Sequence, residues 1–150
     1  NLYTGADTST EAWEKITIAS TIGGMVINKA GVTLAHGMEH PASGLKDIVH
    51  GQGLAALTPA VIEASYPGAP EKFARISKLL GGTDAADCAA QVRTLLQKLD
   101  LTCTLGELGL SESDVPWMAE NCMKVSAASV ANNPVVFTQE QIADIYRKAL

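Results

Sequence analysis

The stretch HGMEHPASGLKDIVHG, residues 36–51, contains every histidine of this 150-residue chain. His36 and His40 are four residues apart, and His50 follows ten residues later. On an α-helix, residues four apart lie on one face, one turn apart. His50, followed by Gly-x-Gly, can return on a loop to face that pair. Because imidazole is the commonest metal-binding side chain, the stretch predicts one of two sites: three histidine ligands, or two ligands and a proton-handling imidazole.

The sequence on both sides of this stretch has helical periodicity. A capping box of Thr8 with Glu11 predicts a first helix over about residues 9–29. A second helix begins near Val32 and carries the first two histidines, with Pro41 as a kink or the start of a new segment. After a loop at residues 50–53, the next predicted helices are Leu54–Ser65, Glu71–Leu80 and one capped by Asp84 and continuing to Leu99. A capping-box spacing of Ser111 with Asp114 predicts the start of another helix, and Thr138–Gln141 caps a last helix that continues to Leu150.

No segment alternates polar and apolar residues over the length of a strand. The sequence therefore predicts an all-α fold, a helical bundle of six to seven helices. Hydrophobic residues make up 47% of the chain and charged residues 18%, which is typical of one globular domain.

Composition also bears on which partners the protein binds and on its cellular compartment. The net charge is −5 and no basic stripe is present, which argues against nucleic acid. The sequence contains neither a signal peptide nor a long apolar run, so nothing in it indicates a membrane-spanning segment. The three cysteines, Cys88, Cys103 and Cys122, fit no zinc module by their spacing, so we expect reduced thiols in a cytoplasmic protein.

The residues alone leave two other functions open. His36-Gly37-Met38-Glu39-His40 matches the H-x-x-E-H pattern of zinc metallohydrolases, with Glu39 as general base and Glu112 or Glu120 as a distal ligand. Alternatively, the chain is a non-catalytic interaction fragment whose apolar surface packs on a partner.

Several segments share a resemblance to one family. The signature of the iron-containing (group III) alcohol dehydrogenases, which have the dehydroquinate-synthase-like fold, resembles three segments of this chain: Asn28-x-x-Gly31, Leu34-Ala35-His36-Gly37-Met38-x-His40-Pro41, and His50-Gly51. Supporting segments follow at Leu57-Thr58-Pro59, Thr102–Gly109, Ser111–Trp117, Asn133-Pro134 and Thr138–Ile142. The resemblance extends from about residue 10 to residue 150.

This resemblance implies roles for individual residues. The family holds its metal with one Asp and three His, of which two match His36 and His50. The residue matching His40 lies near the nicotinamide and helps to move the proton, so His40 is the catalytic residue. Ile27 matches an apolar position that lines the substrate pocket. The resemblance gives Glu39 no role. Fe(II) is the usual metal, and Zn(II) suits the same ligands.

The resemblance also implies a domain assignment. Residues 1–150 correspond to the C-terminal helical metal-binding domain of an enzyme that reversibly oxidises an alcohol to an aldehyde or ketone with NAD(H) or NADP(H). No strand–Gly-rich–helix unit for a dinucleotide is present. We therefore expect the N-terminal nucleotide-binding domain and the first two metal ligands to be missing from this fragment, which alone would be inactive. The expected partners are a small alcohol or aldehyde, the missing domain and further copies in a homo-oligomer.

Overall fold

The computed structural model describes residues 7–150, and over that range the chain forms eight α-helices, two short 3₁₀ helices and no strand. The all-α prediction is confirmed; the sequence pattern did not predict the five-residue helix α7. The helices are α1 (Thr10–Ala30), α2 (Leu34–Lys46), α3 (His50–Ser65), α4 (Pro70–Leu79), α5 (Cys88–Lys98), α6 (Val115–Val125), α7 (Ala127–Ala131) and α8 (Gln139–Ala149), with 3₁₀ helices at Tyr66–Gly68 and Glu112–Asp114.

The chain divides into two units, Asn1–Val32 and Thr33–Leu150. Helix α1 belongs to the first unit, and none of its residues is buried. Its cap differs from the prediction: Ser9, not Thr8, precedes the helix, and its hydroxyl accepts a hydrogen bond from the Ala12 amide at 3.2 Å. Glu11, the predicted partner in the cap, instead pairs with Lys15 one turn later.

The core of the second unit lies where α2, α3, α6 and α8 pack together. Its largest fully buried side chains include one residue from each of these helices, among others: Met38, Leu57, Met118 and Tyr146. The Tyr146 hydroxyl donates to the Met38 carbonyl and so ties α8 to α2. Burial of each large apolar side chain stabilises the fold by about 1.5–3 kcal/mol, so this packing fixes the position of α2.

Helix α2 begins at Leu34 and continues through Pro41 to Lys46. Of the two alternatives for Pro41, the structure therefore has the proline inside one helix. A proline removes one helical hydrogen bond, but Pro41 is buried, and its packing offsets part of that loss. Asp47 ends the helix in the left-handed conformation, with φ at 52°. His36 and His40 consequently lie on the same helix.

Helix α3 begins at His50, so the prediction of a loop over residues 50–53 is wrong. Gly51 and Gly53 favour a loop by intrinsic propensity, which explains the error. Packing decides otherwise, because the glycine at position 53 lets α3 approach α2 closely. Only Asp47, Ile48 and Val49 connect the two helices, which form a hairpin.

Helix α5 begins at Cys88, so Asp84 is not its cap. The Asp84 carboxylate instead accepts a hydrogen bond from the Ala86 amide at 2.8 Å, within the preceding turn. The two helix caps predicted further along the chain are confirmed, and both are capping boxes. Ser111 with Asp114 caps a 3₁₀ turn that continues into α6, and Thr138 pairs with Gln141 at the start of α8.

Among residues 7–150, no single helix is long and apolar enough to cross a membrane; only α1 and α2 taken together as a broken pair reach that length and composition. All three cysteines are free, and Cys88 and Cys122 are fully buried, as expected of apolar core thiols.

Candidate metal centre

The hairpin of α2 and α3 brings the three histidine rings together. The ring centroids of His36 and His50 are 5.4 Å apart, those of His40 and His50 are 5.9 Å apart, and those of His36 and His40 are 6.4 Å apart. The first two rings come from one face of α2, and the third comes from the first residue of α3. Every histidine of the chain therefore belongs to a single cluster.

The separation of His36 and His50 fits two ligands of one metal ion. With metal–nitrogen bonds of about 2.0–2.1 Å, two imidazoles at adjacent positions of a tetrahedral or octahedral ion have centroids roughly 4.5–5.4 Å apart. Over residues 7–150, however, no three His, Cys, Asp or Glu side chains form a group that could hold a metal ion. Any ion held by His36 and His50 would therefore need further ligands that residues 7–150 do not supply.

Burial and neighbouring charges act on His36. Burial lowers the pKa of the His36 imidazole, and the adjacent His50 and His40 lower it further, whereas Glu39 acts in the opposite direction. A lowered pKa favours the neutral imidazole, which is the form that binds a metal. His40 and His50 are exposed on the same surface.

A carboxylate that the resemblance left without a role lies under the cluster. Glu39 is fully buried, and one of its oxygens accepts a hydrogen bond from Nδ1 of His50. The other oxygen accepts from the Ser43 hydroxyl, one turn later on α2. An imidazole that donates through Nδ1 and has no hydrogen on Nε2 keeps a free lone pair on Nε2. The i, i+4 spacing of Glu39 and Ser43 was visible in the sequence, but the contact with His50 depends on the start of α3.

The structure gives the metallohydrolase alternative no support. Glu39 is buried and hydrogen-bonded on both oxygens, which leaves it poorly placed to activate a water molecule as general base. Of the two distal candidates, Glu112 pairs with Arg147 at 2.7 Å and Glu120 pairs with Lys124. All three carboxylates of that alternative are therefore occupied by other partners.

Ile27 lies on α1, in the first unit, with its side chain half exposed. Its role in lining a substrate pocket stays a prediction.

Comparison with known proteins identifies the family of this chain. The model of the Fe-containing alcohol dehydrogenase family, C-terminal part, matches residues 2–150. The chain therefore belongs to the iron-containing alcohol dehydrogenase family.

Individual relatives support this assignment. The chain is 35% identical to 1,3-propanediol dehydrogenase of Klebsiella pneumoniae over 147 residues, which cover 93% of this chain and 38% of that protein. It is 31% identical to the long-chain primary alcohol dehydrogenase AdhA of Thermoanaerobacter ethanolicus, over 87% of this chain and 35% of that protein. The solved structure of an iron-containing alcohol dehydrogenase from Thermococcus thioreducens matches with a TM-score of 0.84 and 30% identity, over 99% of this chain and 39% of that one. The chain thus spans little more than a third of the length of these relatives.

Proposed function

We propose that this chain is the metal-binding C-terminal helical domain of an NAD(P)-dependent alcohol dehydrogenase, which reversibly oxidises a primary or secondary alcohol to the aldehyde or ketone. One observation carries the proposal: all three histidines of a member of this family converge on one helix hairpin, with the His36 and His50 rings 5.4 Å apart. The overall reaction is a proposal for the whole protein, because the chain spans 38% of the length of the 1,3-propanediol dehydrogenase it matches.

In this proposal His36 and His50 are two of the metal ligands, and Fe(II), or Zn(II) as the alternative, is the ion. When bound, the ion would supply Lewis acidity toward the alcohol oxygen, and the nicotinamide cofactor would supply the hydride acceptor that the oxidation needs. The lowered pKa of His36 keeps its ring available as a neutral ligand.

His40 is the proposed proton carrier. Oxidation of an alcohol releases one hydride and one proton, so a base must accept the proton from the hydroxyl group. The His40 imidazole lies in the cluster, 5.9 Å from the His50 ring, and is exposed, so it can accept that proton and pass it to water.

The rest of the enzyme is proposed to lie outside these 150 residues. We propose that an N-terminal domain binds NAD(H) or NADP(H) and supplies the Asp and the remaining His ligand, so that this chain alone is inactive. A cytoplasmic location, a homo-oligomeric assembly and a substrate contact by Ile27 belong to the same proposal.

The test compares these 150 residues with the longest natural form of the protein. Metal content and NAD- or NADP-dependent oxidation are measured for both, with 1,3-propanediol and long-chain primary alcohols among the substrates, because two relatives are named for them. We expect about one metal per chain and activity only in the longer form.

Three single substitutions then separate the proposed roles. His36→Gln and His50→Gln should lose metal and activity together, whereas His40→Gln should keep the metal and lose activity. Tight metal binding by the 150-residue chain alone, or full dehydrogenase activity of His50→Gln, would contradict the proposal.

A further inference from the structure

We propose that Glu39 is a positioning residue for His50: it holds the ring by its Nδ1 hydrogen and so directs Nε2 outward as the ligand atom. The inference rests on the proposed function, because it assumes that His50 binds a metal. It concerns a residue to which the family resemblance gives no role.

The first argument is the burial of a charge. Glu39 is fully buried, and burial of a carboxylate costs free energy unless hydrogen bonds and charges compensate it. Both oxygens have a partner, one from Ser43 and one from His50. A neutral side chain would fill the same space without that cost, so the carboxylate is more than a filler of the core.

The second argument is that the carboxylate is held rigidly. An added Cβ on Gly53 would lie 2.9 Å from Glu39 Cγ and 3.0 Å from its Oε1, so the α3 backbone closes over the glutamate. The Ser43 hydroxyl, one turn further along α2, donates a hydrogen bond to that same oxygen, and Oε2 is left to His50. Glu39 is therefore confined from two helices and cannot rotate away from His50.

The third argument is that His50 needs such support. The His50 side chain is 51% exposed, and α3 places it at a helix terminus. An exposed ring exchanges between rotamers and between its two neutral tautomers. The hydrogen bond to a fixed carboxylate selects one rotamer and places the hydrogen on Nδ1. The polarised ring is also a more basic ligand through Nε2.

The experiment uses the longest natural form of the protein and three variants. Glu39→Ala removes the acceptor, and Glu39→Gln keeps an acceptor oxygen without the charge. Ser65→Ala is the matched control, because Ser65 also lies on α3 and loses a buried hydrogen bond, with Asn133. Ser65 is about 22 Å along the helix from His50, so this control reports general loss of packing.

Two measurements are made on each protein. The first is the ¹⁵N chemical shifts of the His50 ring in the metal-free protein at about pH 8.5, where ordinary imidazoles are neutral, with His50→Asn used to assign the signal. The second is the affinity for Zn(II), measured by competition with a chromogenic chelator.

We expect the Nδ1–H tautomer in the wild type and in Ser65→Ala, and a mixture rich in Nε2–H in Glu39→Ala. Zinc affinity should fall by about 10- to 100-fold in Glu39→Ala, be partly rescued in Glu39→Gln and be unchanged in Ser65→Ala. An Nε2–H wild-type ring, or equal affinity of Glu39→Ala and the wild type, would overturn the inference. Failure of the proposed function gives a different result: the wild type itself would bind no zinc.

Discussion

The contact between Gly53 and Glu39 predicts that the first turn of α3 tolerates alanine in place of Gly51 but not in place of Gly53. An ideal Cβ at Gly53 lies 2.9 Å from Glu39 Cγ, 3.0 Å from Glu39 Oε1 and 3.0 Å from Ile48 Cδ1. Carbon atoms in good contact are about 3.5–4.0 Å apart, so three atoms are each crowded by roughly 0.5 Å or more. Gly51, two residues earlier, has nothing within 4 Å of the same added atom.

The magnitude follows from two opposing effects. Overpacking of a filled site costs about 1–3 kcal/mol, and Glu39 cannot move aside while it holds Ser43 and His50. Alanine also gains about 0.5–1 kcal/mol over glycine in a helix. Because this gain applies at both positions, it cancels between the two variants. Gly53→Ala should therefore be less stable than Gly51→Ala by about 1–3 kcal/mol.

The assay is urea unfolding of the wild type, Gly51→Ala and Gly53→Ala, followed by far-ultraviolet circular dichroism. The urea midpoints are compared only if the three proteins have the same dependence of unfolding free energy on urea concentration, since a change in that slope indicates a changed denatured or native state. Gly53→Ala should also bind zinc more weakly than Gly51→Ala, because a Cβ at position 53 strains the contact between Glu39 and His50. Equal midpoints for the two variants would refute the packing argument, and with it the claim that Glu39 is confined.

Three further predictions concern other parts of the second unit. Tyr146→Phe removes the hydroxyl that donates to the Met38 carbonyl of α2. Urea titration should show a free energy of unfolding that is lower by about 0.5–1.5 kcal/mol. An unchanged free energy of unfolding would show that this hydrogen bond is not formed. Cys122 is fully buried, which raises its pKa to about 12, whereas Cys103 is only half buried. A thiol reagent followed by peptide mapping should therefore find Cys103 labelled in the folded protein and Cys122 labelled only after unfolding. Labelling of Cys122 in the folded protein would contradict its burial. Because burial and neighbouring histidines lower the pKa of His36 from 6.5, the unfolded chain binds that proton at a higher pH than the folded one, and stability falls as the pH drops below about 6.5. The urea midpoint of the wild type should therefore fall more between about pH 7.5 and pH 5.5 than that of His36→Gln, and parallel curves would count against this assignment.

The sequence by itself determined the secondary-structure class, the helix caps and which residues share a helix face. Helical periodicity without strand alternation predicted the all-α class, and the residues at Ser111–Asp114 and Thr138–Gln141 predicted two helix caps that the structure contains. The spacing of His36 and His40 predicted their common helix face. These features depend on residues within one or two turns of each other, so the local sequence contains the information that determines them.

Only the tertiary structure decided where α3 begins and what Glu39 contacts. By propensity, the two glycines at residues 51 and 53 indicate a loop, and an isolated segment would follow that preference. In the folded chain the missing side chain of Gly53 allows α3 to close over Glu39, so the same residue that weakens the helix locally permits its packing. The histidine cluster and its buried carboxylate thus arise from a contact between two helices, and the free energy of such a contact is absent from either segment alone.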